Sequence, residues 1–162
     1  MDVLKLNLGA GDHPLEGYKN LDGNVGDFIH PLSVENETCD EIRSSHCLEH
    51  FSHKEVSTVL KHWVSKLKPG GLLKIAVPDF EKICKDYLEG REFNIQGYVF
   101  GGHVDHRDHH GCAFDTELLT ELMLDCGLER LHHWKSEVQD GAALPARRNG
   151  PGFQLRGTAT AC

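Results

Sequence analysis

The sequence predicts a single α/β domain in which a mostly parallel, twisted sheet carries helices on both faces and ends in an antiparallel edge. Three observations lead there. Strand-like segments alternate with segments of helical period, the pattern of strands joined by crossover helices. The first strand runs straight into a glycine turn, and the last strand-like segments follow one another without a helix between them, as an antiparallel edge does. The 162 residues, 39% of them hydrophobic, suit one core and are short for two, so residues 1–162 are read as one domain.

The elements follow in order. Leu4-Lys5-Leu6-Asn7-Leu8 alternates as a strand and opens into Gly9-Ala10-Gly11, a turn that lets backbone approach a ligand. Tyr18–Asp22 reads as a second strand ending in an acid, Asp27–His30 as a third and Asp40–Ser45 as a fourth. Ser52 and Glu55 have the spacing of a capping box, before a helix whose Val56, Val59, Leu60, Trp63, Val64 and Leu67 share a face; Pro69-Gly70-Gly71 stops it. Leu72–Val77 is the apolar run of a doubly covered strand. Asp79 then caps a helix expected to bury Phe80, Ile83, Cys84, Tyr87 and Leu88 and to stop at Gly90. Residues 91–113 lack a period and read as a functional loop or irregular lid. Asp115 caps the last helix, with Phe114 and Leu119 as a hydrophobic staple and Gly127 at its end. Leu128–Trp134 and Phe153–Thr160 are the closing strands, with a Pro/Gly loop between.

Composition narrows the function classes. With 17 Lys+Arg against 25 Asp+Glu the formal charge is −8, a field that repels polyanions, so nucleic acid is not an expected partner. No run of about eighteen apolar residues marks a membrane span, and the start, Met1-Asp2-Val3-Leu4-Lys5, lacks a signal-peptide pattern. A cytoplasmic location is expected, and with it six reduced cysteines, which include no C-x-x-C pair.

In an open α/β sheet ligands bind beyond the carboxyl ends of the strands, where Gly9-Ala10-Gly11, Asp22 and Ser44-Ser45-His46 converge. The glycines admit a ligand to the backbone, Asp22 can accept hydrogen bonds from both hydroxyls of a ribose, and the residues after the fourth strand border the reacting end. The ordered stretches Leu6–Gly11, Gly17–Asp22, Ser45-His46-Cys47-Leu48-Glu49-His50-Phe51, Leu67–Gly71 and Val77-Pro78-Asp79 resemble the compact, Rossmann-like class I S-adenosylmethionine-dependent methyltransferases. Within that class they are similar to a small family found beside glycan-building genes. A weaker echo, His109-His110 with Phe114-Asp115, extends the resemblance to about Gly127.

The resemblance implies S-adenosylmethionine as cofactor, with Leu8, Gly9, Ala10 and Gly11 along its methionine part, Asp22 and Gly23 at the ribose and Ser45 and His46 beside the sulfonium. Ile29 and His30 fall in a shortened adenine stretch that lacks the usual acid, so adenine recognition is expected to rest on backbone and apolar contacts. The helix usual between the first two strands is replaced by the short loop Asp12–Glu16. The implied reaction is methyl transfer to a small-molecule acceptor, possible sugars and sugar nucleotides included; acceptor and oligomeric state are not specified by these motifs. If a base is used, His46, His103, His106 and His109 are the candidates, since imidazole titrates near neutrality. Glu49-His50 reads as a tie to the helix that follows. No metal site is expected, because His103, Asp105, His106, His109, His110 and Cys112 lack a fixed ligand spacing.

Two rival readings stay open beside methyl transfer. One is a non-catalytic S-adenosylmethionine-binding protein of the same fold. The other is a nicotinamide-dependent oxidoreductase, weakened by Pro14 standing where the dinucleotide fingerprint needs its third glycine.

Overall fold

The computed structural model describes residues 3–23, 29–136 and 152–160. The strands are β1 (Lys5–Leu8), β2 (Lys19–Leu21), β3 (Cys39–Ser45), β4 (Leu67–Pro78), β5 (Leu128–His133) and β6 (Gly152–Ala159). The helices are α1 (Val56–Lys66), α2 (Phe80–Leu88), α3 (Ile95–Phe100) and α4 (Thr116–Asp125), with a 3-10 turn at Leu48–His50. The described strands form one six-stranded sheet in the order β2-β1-β3-β4-β6-β5. β1 pairs in parallel with β2 and β3, and β3 with β4, whereas β6 runs antiparallel to both β4 and β5. The mostly parallel sheet with antiparallel pairing toward one edge is the predicted one.

Side chains alternate along a strand, so register decides each face. On one face Leu6, Ile42 and Leu73 lie side by side, and Leu8, Ser44, Ile75 and Leu155 form the next row. Against them α1 sets Val56, Val59, Leu60 and Trp63, and α4 sets Leu119 and Met123, in one continuous core. The other face carries a row that crosses the whole sheet: Asn20, Asn7, Arg43, Lys74, Arg156 and His132. Polar contacts order it. Arg43, 4% exposed, donates to Asn7 Oδ1 at 3.1 Å and Ser136 Oγ at 3.4 Å. The Trp134 ring lies 5.6 Å from the Arg43 guanidinium and 5.7 Å from Lys74 Nζ. Lys74 in turn meets Glu41 at 2.7 Å, and Tyr18 donates its hydroxyl to the same carboxylate.

Several local expectations change. The capping box does not form: Ser52 heads a turn that precedes α1, so its hydroxyl accepts from Lys54 N and its carbonyl takes Glu55 N and Val56 N. Glu55 occupies the N-cap without a side-chain bond. The helix stops at Lys66, ahead of Pro69-Gly70-Gly71, which lies within β4 where its pairing with β3 shifts register. Asp79 does cap α2, accepting from Lys82 N at 3.1 Å, but that helix turns Ile83 and Asp86 inward and leaves Phe80, Cys84, Tyr87 and Leu88 exposed. Its start is pinned by Phe80 N donating to the Phe114 carbonyl at 2.8 Å, and that anchor, with Asp86 drawing in Lys82 and Arg91, sets its rotation. The irregular stretch 91–113 contains α3, which periodicity had not revealed. Of the expected third strand, Ile29 and His30 form a bend, and Asp27 and Phe28 lie outside the described residues, as do residues 137–151 between β5 and β6. The expected cap and staple of α4 are present: Asp115 accepts from Leu118 N at 2.8 Å, and Phe114 and Leu119 are buried.

Candidate active site

The carboxyl end of β1 turns sharply at Gly9 (φ +67°) and Gly11 (φ +50°), both in the left-handed region that favours glycine. A Cβ on Gly9 would lie 2.9 Å from Cys47 Cβ, so the turn presses against the chain leaving β3. Leu21 O receives Ala10 N at 3.1 Å, and Asp22 Oδ2 receives Gly11 N at 2.5 Å. The acid at the end of β2 and the glycine turn at the end of β1 are thereby locked together. No helix joins these strands. Asn20 closes the intervening loop by accepting from Leu15 N and donating to the carbonyls of Leu15 and Tyr18.

The chain leaving β3 is kinked at His46 (φ +50°), whose backbone N–H reaches the Ala76 carbonyl at 2.9 Å. His46 Nδ1 meets Glu49 Oε1 at 3.1 Å. Glu49 is 1% exposed; burial pushes its pKa up, but the bond from His46 and the nearness of His46 and His50 outweigh that and hold it below the usual carboxylate value. Glu49 therefore orients His46 and makes no side-chain bond to α1. Cys47, buried beneath the glycine turn, has its thiol pushed up to about 12 by burial, with Glu49 adding to the effect, which favours the protonated thiol.

Ile29 and His30 sit on the flank of α1. The Ile29 carbonyl accepts from Trp63 Nε1 at 2.8 Å, and the His30 ring makes edge contacts with Phe51 at 6.0 Å and His62 at 5.0 Å. The Oγ atom of Ser45 and the Nδ1 of His30 are buried without hydrogen-bond partners, the kind of orphaned polar group that a bound polar ligand satisfies.

The histidine loop folds back over this edge. Arg107 donates to the Gly23 carbonyl, one residue past Asp22, and also pairs with Asp105. Gly111 N and Cys112 N donate to the Glu49 carbonyl at 2.7 and 3.3 Å, and His53 N donates to Gly111 O at 3.1 Å. His103, His106 and His109 are exposed. His103 and His109 spend one ring nitrogen each on loop carbonyls, those of Phe100 and His106. The structure thus brings Leu8–Gly11, Asp22-Gly23 and Ser45-His46 to one end of the sheet, with Ile29-His30 against α1. Sequence reasoning passed over Glu49 as a partner of His46 and Cys47 as the floor beneath Gly9; the short Ser45–Phe51 block held that signal.

No family model and no curated protein matches this sequence. Solved structures do match its fold. A S-adenosylmethionine-dependent methyltransferase from Methanosarcina mazei superposes with a TM-score of 0.62 at 15% identity, over 99% of this chain and 94% of that one. One from Thermotoga maritima gives 0.61 at 19% identity, over 97% and 82%. The Burkholderia thailandensis 1,6-didemethyltoxoflavin-N1-methyltransferase, solved with its substrate and S-adenosylhomocysteine, gives 0.60 at 15%, over 98% and 71%. The fold is that of the class I S-adenosylmethionine-dependent methyltransferases.

Proposed function

We propose that the protein is an S-adenosylmethionine-dependent methyltransferase acting on a small-molecule acceptor. The observation that carries this reading is the bond from Gly11 N to Asp22 Oδ2, which fixes a left-handed glycine turn and a strand-end acid on one ligand edge. Gly11, where an added Cβ would stand 3.9 Å from Asp22 Oδ2, leaves room for a ligand along the backbone, and Asp22, whose carboxylate accepts up to about four hydrogen bonds, holds ribose hydroxyls. Ser45 Oγ offers an orphaned donor beside them. The Burkholderia neighbour, solved with S-adenosylhomocysteine, supports the cofactor assignment. The absence of a helix between β1 and β2 removes the helix N-terminus on which a dinucleotide pyrophosphate would rest, which weakens the oxidoreductase reading.

S-adenosylmethionine when bound supplies a methyl group on a sulfonium, which the acceptor's lone pair displaces in line. The protein's share is positioning and exclusion of water. For a hydroxyl acceptor the proton goes to His46, whose Nδ1 donates to ionised Glu49 in the manner of a carboxylate-oriented imidazole. Arg107 and the exposed histidines His103, His106 and His109 line the acceptor side. No described helix is long and apolar enough to cross a membrane.

Calorimetry with S-adenosylhomocysteine tests the cofactor, and product release over a panel of sugars and sugar nucleotides, the class the sequence resemblance suggests, tests the acceptor. Binding is expected to raise the melting temperature, and Asp22→Ala to weaken it by about 1.5–3 kcal/mol. His46→Ala is expected to lower kcat by about 100-fold or more, well beyond its effect on cofactor affinity. No heat and no melting shift at millimolar ligand would overturn the reading. Binding with no turnover on any acceptor would favour the non-catalytic alternative.

A further inference from the structure

We propose that Glu49, His50 and His110 form a binding site for a divalent first-row transition ion such as Zn²⁺. One donor atom from each residue lies within 4.8 Å of the other two. Tetrahedral donors at about 2.0–2.2 Å from an ion stand about 3.3–3.6 Å apart, so side-chain contraction of at most about 1.5 Å closes the site.

Three independent features prepare it. His50 Nδ1 faces the His109 carbonyl and His110 Nδ1 the Tyr98 carbonyl, each at 3.0 Å. A carbonyl only accepts, so both Nδ1 atoms carry the proton and both Nε2 atoms carry a lone pair, the tautomer that a metal-ligating histidine needs and the backbone partner that usually fixes it. Glu49 Oε2 is buried without a hydrogen-bond partner, while Oε1 is occupied by His46. An unpartnered carboxylate oxygen on a residue 1% exposed is costly unless a cation meets it. The two histidine rings stand edge to face with centroids 5.1 Å apart.

Backbone contacts bring the cluster together. Gly111 lies so close to the Phe51 carbonyl that a Cβ there would sit 2.5 Å from the oxygen, and only this approach lets the bonds from Gly111 N and Cys112 N to Glu49 O form. His110 is thereby set beside the Leu48–His50 turn. Two imidazoles and one carboxylate suit zinc or its first-row neighbours better than calcium or magnesium, which prefer all-oxygen shells. Three protein donors leave a coordination position open. Of the loop residues weighed as ligands from the sequence, His110 takes part and His103, Asp105, His106, His109 and Cys112 do not; the other two ligands come from the β3 exit.

The test is Co²⁺ titration of the full chain, free of any affinity tag and stripped with chelator, read by visible absorption. One equivalent is expected to bind with the intense band of a four- or five-coordinate ion and to be displaced by Zn²⁺. His50→Ala and His110→Ala, each checked for native circular dichroism, are expected to weaken binding by about 100-fold or more, and the triple alanine variant at His103, His106 and His109 to leave it unchanged. The proposal is overturned if the unaltered chain takes up no Co²⁺ at millimolar concentration. It is equally overturned if His50→Ala and His110→Ala bind as tightly as the parent, or if the triple variant alone abolishes binding.

Discussion

Gly9 and Gly70 both adopt left-handed backbone, φ +67° and +79°, yet their surroundings differ. Nothing lies within 4 Å of a Cβ placed on Gly70, whereas one on Gly9 collides with Cys47. Gly70→Ala is therefore expected to cost about 1 kcal/mol from the dihedral alone. Gly9→Ala adds the displacement of a packed neighbour and is expected to cost about 2–4 kcal/mol. Urea midpoints of the two variants decide this, and equal losses would mean that Cys47 yields without strain. The same contact explains why the glycine was legible in the sequence but its reason was not: Gly9-Ala10-Gly11 announces a turn, while the thiol it packs against is 38 positions away, in another motif.

At the scale of elements, α1 holds more than its core face. Trp63 donates its indole N–H to the Ile29 carbonyl, and His62 Nε2 receives Leu32 N–H at 2.8 Å, so one helix fixes the segment that takes the place of the expected third strand. The His62 bond requires a neutral ring. Burial, with Lys66 and His30 nearby, holds its pKa below the ordinary value. A base with a lowered folded pKa leaves the unfolded chain the better proton acceptor. Its stabilisation is complete above about pH 6.5 and is lost as pH falls through that value toward the folded pKa. Melting temperatures between about pH 7.5 and 5.5 should fall less steeply in His62→Gln, which does not titrate, than in the parent. A parallel pair of curves would remove His62 from the acid response. Helix α1 was readable because its apolar period is set by the core it faces. Helix α2 misled because its orientation follows from the Phe80–Phe114 anchor and buried Asp86, tertiary ties that leave no periodic trace. Helix α3 is too short for one. The glycine turn and Asp22 were legible as a ligand edge because strand ends carry local signals. The Glu49–His110 pairing spans 61 positions and was not.

For the molecule as a whole, the sheet is a boundary between two kinds of cohesion, hydrocarbon packing on one side and a cationic, aromatic and hydrogen-bonded layer on the other. A cavity of about 560 Å³ opens on the polar side, bordered by Tyr18, Arg43, Lys74, Trp134 and Arg156. Arg43 is the buried hub of that layer, so Arg43→Ala is expected to destabilise the fold by about 2–4 kcal/mol in urea unfolding. Arg43→Met, which keeps the length but not the charge, should recover part of the loss if stacking on Trp134 contributes and none if the hydrogen bonds to Asn7 and Ser136 carry it all.

The strand order bears on how the chain acquires this sheet as it is made. β5, at residues 128–133, has no hydrogen-bonded neighbour among the described strands other than β6, which follows it in sequence and inserts between it and β4. As the chain leaves the ribosome, β1 to β4 can assemble one upon the next. β5 must then wait, unpaired, until residues 152–159 emerge and slot into the gap. Translation paused between residues 133 and 152 would leave an open edge on β4 and an orphan strand beside it, the arrangement most prone to pairing with another nascent chain.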